Sequence, residues 1–283
     1  MIYHIDTTGI VNLWKQLDSD YSEAHIDNVY HQLYVVPKSK GKLQVFDSRR
    51  GALRWNLSPG PQAFPNWFQG TRLIQNQLYV GDYNGGFNVY RQNGAITQSK
   101  DIQQHYMASD FLLDEKRSFI YAIPKNRELQ NKILVYNIGL DLIRDNVFDF
   151  DLKGWSSKDD ESVFVFYNDG NNIKIALFSY FYGNVNVLRM ISGNSLNDVV
   201  AFSKTQFLLG TNDGVFYYDY YNNSLTQIIS GKQISSMDKS EATNLVAISS
   251  ENEVFVFSLS RGAIVQNYSL PYHVKKVLWQ TNR

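Results

Sequence analysis

Five histidines, His4, His25, His31, His105 and His273, are the residues best suited to general-base or metal-ligand work. No two lie two to five residues apart, the spacing that sets a pair on one metal ion. His25 and His31 come nearest, six apart across an expected turn and strand. A surface or hydrogen-bonded role is the better account of each histidine. Carboxylates cluster at Asp18/Asp20, Asp149/Asp151 and Asp159-Asp160-Glu161. In FDFD the alternation of a strand would put Asp149 and Asp151 on one face, whereas KDDES reads as a solvated loop tip. A calcium loop needs more oxygen ligands and a sharper glycine turn than DFDLKG supplies. The GxSxG nucleophile elbow, the Walker loop and the dinucleotide fingerprint are absent from the sequence. GTNDG and GDYNGG are hairpin turns, because strand-like runs follow them where an anion site would want a helix. With no cysteine, thiolate zinc sites, disulfides and cysteine nucleophiles are excluded. No catalytic residue, metal site or cofactor is expected.

The chain has 283 residues, 43% hydrophobic and 19% charged, with 27 basic and 27 acidic side chains. That is too apolar and too evenly charged for disorder, and long enough to bury a core. Zero net charge argues against nucleic acid or an anionic membrane as partner, since both select basic surfaces. MIYHIDTTGIVNLWKQ shows no basic region followed by a long apolar run, so no signal peptide is expected. No apolar stretch approaches the roughly 20 residues of a membrane span. An intracellular protein, cytoplasmic or nuclear and without membrane insertion, is expected.

The aromatic stretch DGVFYYDYYNN, residues 213–223, supplies the ruler for organisation. A pattern of apolar, any, apolar, aromatic ends at Trp14, Phe46, Tyr90, Tyr136, Phe178, Tyr218 and Phe257. Subtracting these anchor numbers gives intervals of 32, 44, 46, 42, 40 and 39 residues. Turn residues precede each run, among them Gly9, Gly41, Gly85-Gly86, Asn131 and Asp213-Gly214. Others follow most of them, at Gly51, Gly94, Gly139, Gly183, Asn223 and Gly262. Glycine and asparagine tolerate the positive φ of tight hairpins. Before the anchors come strand-like runs such as QLYVV, SFIYAI, VFVFY and NLVAIS; after them come ALRWNL and AIVQNYSL. No segment holds a helical period over ten residues or more.

Turn–strand–turn at about 40 residues is a repeat array, and four antiparallel strands per repeat make the blade of a β-propeller. The expectation is an all-β, seven-bladed propeller of four-stranded antiparallel blades, one domain over 1–283. Nine residues before the run 10–14 leave blade one room for IYHI alone, while HVKKVLW follows the last repeat's fourth strand, 263–270. HVKKVLW is therefore expected to supply the missing inner strand of blade one and close the ring, removing open edges. In such blades the inner strands are apolar on both faces. VFYYDYY then reads as a third strand whose rings fill the space between blades, the alternative being Tyr220 and Tyr221 exposed at the blade edge.

KLQVFDSRRGALRW and QLYVGDYNGGFNVYRQNGAI resemble repeats of quinoprotein-like propellers. ISSMDKSEATNLVAISSENEVFVFSLSRGAIVQNY resembles a degenerate WD-repeat blade. The WD dipeptide itself is replaced by WK, FD, YR, YN, FS, YD and FS, and the family's glycine–histidine pair is absent. This likeness implies the fold and superfamily and no particular member. Arg49-Arg50-Gly51 resembles the double-arginine-glycine signature of phosphoinositide-binding propellers, but it follows a third strand in blade two, where a charged hairpin tip accounts for it better. Arg49 and Arg50 stay candidate partner contacts.

NLSPGPQAFPNWFQG, residues 56–70, is the most unusual connection. Pro59, Pro61 and Pro65 cannot donate to a strand ladder, so the segment should leave the sheet as a stiff loop carrying Phe64, Trp67 and Phe68. These rings either dock on a partner or plug the end of the propeller's own core. The expected function is a non-catalytic scaffold presenting loops to one or more proteins in a larger assembly. The alternative is a small-ligand or enzymatic propeller with its site over the central channel, where converging loops leave no contiguous motif.

Overall fold

The computed structural model describes residues 2–5, 11–17, 21–37, 42–57, 68–74, 76–82, 86–101, 108–114, 119–124, 132–137, 139, 141–147, 151–157, 162–179, 183–240 and 243–280. Among them there are strands and turns and no helix. The chain divides into two compact units, Met1–Asp149 with Asn282–Arg283, and Phe150–Thr281.

The first unit opens on a two-stranded antiparallel sheet, β1 (Ile2–Ile5) and β2 (Val11–Lys15). Three four-stranded meanders follow. The first is β3 (Tyr21–Asp27), β4 (Gln32–Pro37), β5 (Leu43–Asp47) and β6 (Leu53–Leu57). The second is β7 (Phe68–Ile74), β8 (Gln77–Asp82), β9 (Gly86–Tyr90) and β10 (Ile96–Asp101). The third is β11 (Ala108–Asp114), β12 (Phe119–Pro124), β13 (Lys132–Asn137) and β14 (Leu142–Val147).

The second unit holds three more meanders. They are β15 (Asp151–Ser157), β16 (Ser162–Asp169), β17 (Asn172–Ser179) and β18 (Val185–Ser192); then β19 (Leu196–Ala201), β20 (Gln206–Thr211), β21 (Gly214–Asp219) and β22 (Ser224–Ser230). The last is β23 (Ile234–Lys239), β24 (Leu245–Ser250), β25 (Glu253–Ser258) and β26 (Ala263–Ser269). Each four-stranded meander is the blade of a β-propeller, so among the described residues six blades are complete and one sheet has two strands. The short first interval has a physical reason. Only residues 16–20 separate β2 from β3, too few for a fourth strand.

Central strands are buried on both faces, as β4, β16, β20 and β24 show by their unbroken runs of buried residues. That is the pattern of a sheet packed on both sides. The anchor aromatics Phe46, Tyr136, Tyr218 and Phe257 all lie in this interior. The residue after each anchor has a different task. Asp47 accepts the N–H groups of Arg49 and Arg50, Asp219 that of Asn222, Asn137 that of Asp141, and Ser258 that of Arg261. FD, YD, YN and FS thus pair a core ring with a side chain that folds the next turn.

The first strands carry the joints between neighbouring sheets. Each of the six has a bulge near its start, and in β3, β15 and β19 the residue after the bulge meets the first strand of the following sheet. Glu23 accepts the Thr71 N–H at 3.1 Å and its hydroxyl at 2.8 Å. Asp198 accepts the Met237 N–H at 2.7 Å. At Gly154 the approach is closest: a Cβ there would stand 2.8 Å from Cγ2 of Val199.

Closure of the ring by HVKKVLW is not shown, since residues 273–280 carry no strand assignment. Val274 donates to the Glu251 carbonyl at 2.6 Å, and two further amides turn to side-chain acceptors on β23. Val277 donates to Ser236 Oγ at 3.5 Å and Trp279 to an Asp238 carboxylate oxygen at 2.6 Å. Ser236 is the residue after the β23 bulge, so the segment stands against β23 as β23 stands against β19.

Candidate functional site

The stretch that set the repeat also lines a cleft. Gly214 opens β21 where the chain passes so close to Ile229 that a Cβ would lie 1.9 Å from its carbonyl oxygen. From there the side chains alternate. Tyr217 packs with Val200, Leu208 and Phe255. Phe216, Tyr218 and Tyr220 pack with Phe164, Phe166 and Phe207. Tyr218 is 1% exposed and stacks on Phe207 with centroids 6.4 Å apart. Tyr220 meets Phe164 edge-on at 5.3 Å. These are the inter-sheet rings the sequence implies. Tyr221 leaves the core: it is 81% exposed, 6.1 Å from the Tyr220 centroid.

The turn that presents Tyr221 is firmly held. Asp219 Oδ1 accepts the Asn222 N–H, while Oδ2 accepts the side-chain amides of Asn222 and Gln206. Burial pushes the Asp219 carboxyl up, but these donors together bring it below its ordinary range. Asn223 closes the turn at φ +48°, a conformation asparagine tolerates. Leu188 of β18 forms the facing wall. Leu188, Tyr218, Tyr220, Tyr221 and Asn223 line a cleft of about 480 Å³. A register shift in β18 opposite Ile175/Ala176 places Leu188 beside Arg189. Arg189 spans the two sheets, Nη2 donating to the Asn223 carbonyl at 2.5 Å. Burial pushes the Tyr218 phenol above its ordinary range, with the Arg189 charge pulling partly back, so it stays neutral at physiological pH. The arrangement can hold a flat or apolar side chain between tyrosine rings. Among the described residues, no three His, Asp or Glu side chains gather as a metal site.

The residues named from sequence lie elsewhere. Arg49 and Arg50 are exposed on the β5–β6 turn, and Asp47 holds their backbone amides rather than their guanidinium groups. Arg54 pairs with the other Asp47 oxygen at 2.7 Å. Phe64 and Trp67 lie outside the described residues, and Phe68 begins β7. Of the histidines, His25 Nε2 lies 2.8 Å from Thr71 Oγ1 in the Glu23 joint. His31 sits in the β3–β4 turn at φ +52°. His105, Asp18, Asp20, Asp149 and the 159–161 cluster lie outside the described residues. Sequence reasoning did not single out Leu188 or Arg189; the one cation in VNVLRMIS was the available signal.

No protein-family model matches the chain, and no curated protein matches its sequence. Solved structures do. The chain superposes on the WD40 repeats of RRP9 with a TM-score of 0.73 at 10% identity, covering 99% of this chain and 89% of that one. The fold is a β-propeller. Raptor from Chaetomium thermophilum is similar over 94% of this chain and 27% of its own, with a TM-score of 0.72 and 12% identity. Hydrazine synthase from Kuenenia stuttgartiensis is similar over 90% of this propeller and 88% of that chain, with a TM-score of 0.69 and 12% identity. At these identities the likeness is one of fold.

Proposed function

We propose that this propeller is a non-catalytic scaffold that docks partner proteins within a larger intracellular assembly. The observation that carries this is Tyr221, a large ring 81% exposed on a rigid turn beside a tyrosine-lined cleft. Exposed aromatics on pre-ordered turns anchor protein interfaces because they bury much area for little lost entropy. The WD40 repeats among the similar structures support a repeat platform of this kind. Phe64, Trp67 and Phe68, with Arg49 and Arg50, are proposed as further contacts. Seven blades, with HVKKVLW (273–279) serving as the inner strand of the first, belong to the same proposal.

Co-purification from the native cell tests it, comparing the tagged chain with Tyr221→Ala. Stoichiometric proteins that the variant loses would support docking at the cleft. Hydrazine synthase, an enzyme by name, favours a second reading in which the same fold serves a ligand or a reaction. A monomer that captures no protein but is shifted thermally by a metabolite panel would favour that reading.

A further inference from the structure

We infer that the cleft takes an acidic residue of an extended partner segment, its carboxylate on Arg189 and an adjacent aromatic or apolar side chain against Tyr220 and Tyr221. The inference rests on the scaffold reading and adds the chemistry of what docks. Arg189 is half-buried; among the described residues its one hydrogen bond runs from Nη2 to the Asn223 carbonyl, and its buried Nε has no partner. No carboxylate among the described residues pairs with it. A partly buried guanidinium without a counter-charge is costly, and its planar fork of donors matches a carboxylate.

The neighbours do not supply that charge. Both oxygens of Asp219 are engaged by Asn222 and Gln206. The Tyr218 phenol is kept neutral by burial. Three tyrosines alone would suit a cation, but the Arg189 charge beside them opposes one. The partner's extended form follows from β18, the end strand of its sheet among the described residues, an edge to which an extended segment can add.

The test uses the whole chain and three acetylated, amidated peptides, Ser-Asp-Phe-Ser, Ser-Asn-Phe-Ser and Ser-Lys-Phe-Ser, titrated by calorimetry or NMR. The aspartate peptide is expected to bind at least about fivefold tighter than the asparagine one. Arg189→Gln should abolish that difference, Arg189→Lys should keep part of it, and Tyr221→Ala should weaken all binding without altering the melt. Equal binding of the asparagine peptide, tighter binding of the lysine peptide, or none up to about 5 mM would overturn the inference. Free phenylacetate binding as tightly as the aspartate peptide would also overturn it, marking a small-ligand site. If Arg189→Gln keeps the co-purified proteins that Tyr221→Ala loses, the scaffold stands and the acidic residue falls.

Discussion

Asp198 accepts the backbone N–H of Met237 at 2.7 Å, so a carboxylate rather than a main-chain ladder ties β19 to β23. Glu23 serves Thr71 in the same way one residue after its own bulge. A buried N–H that loses its acceptor costs about 1–3 kcal/mol. Asp198→Ala should lower stability by that amount in urea unfolding, and Asp198→Asn, which keeps an acceptor, should recover part of it. An alanine variant as stable as the parent would show that the joint is incidental.

Tyr218 is the interior end of the tyrosine series. Its replacement by alanine removes a ring packed against Phe207 and is expected to cost about 3–5 kcal/mol. Tyr218→Phe should cost far less. A Tyr218→Ala protein that melts normally yet loses a partner would make the ring a binding element instead of a core element.

Deleting residues 272–283 removes the Val277 and Trp279 donors from Ser236 and Asp238. Burial already pushes the Asp238 carboxyl above its ordinary range, against the Trp279 N–H and the Lys276 charge, so the deletion also takes away its main supports. The shortened chain is expected to melt lower and to self-associate in size-exclusion chromatography. A monomer with an unchanged melting temperature would refute the part assigned to this segment.

Asp47 titrates at about 2, against an ordinary 3.8, chiefly because Arg54 donates to it, with the Arg50 and Arg49 amides adding to the effect and burial opposing it. A carboxyl depressed on folding stabilises the fold above its unfolded value and loses that contribution as pH falls. The window therefore runs from 3.8 down to about 2. Titrating the Asp47 carboxyl by its ¹³C shift should give a midpoint near the low end, moving up toward 3.8 in Arg54→Ala. An unmoved midpoint would exclude Arg54 as the cause.

Much of the fold was written in local pattern. Phe46, Tyr136 and Tyr218 recur because a blade packed on both faces needs a ring at that depth, and Asp47 and Asp219 follow them because the next turn needs an acceptor. The site was less legible. Tyr221 could be named as an edge residue, since its neighbours alternate into the core. Arg189 could not: its partner Asn223 lies 34 residues away, and only a register shift in β18 and the turn of the next sheet bring them together. Glu23 and Thr71, 48 residues apart, were hidden for the same reason. The pattern of apolar residues specifies which face is buried; it does not say which polar side chain the neighbouring blade will meet.

The most direct measurement of the central claim is quantitative co-purification of the tagged chain and its Tyr221→Ala variant from native cells, with a melting curve for each. Tyr221 is 81% exposed, so the variant should melt as the parent does while losing at least one stoichiometric protein partner. A variant that retains every partner at the parent's stoichiometry would contradict docking at the tyrosine cleft.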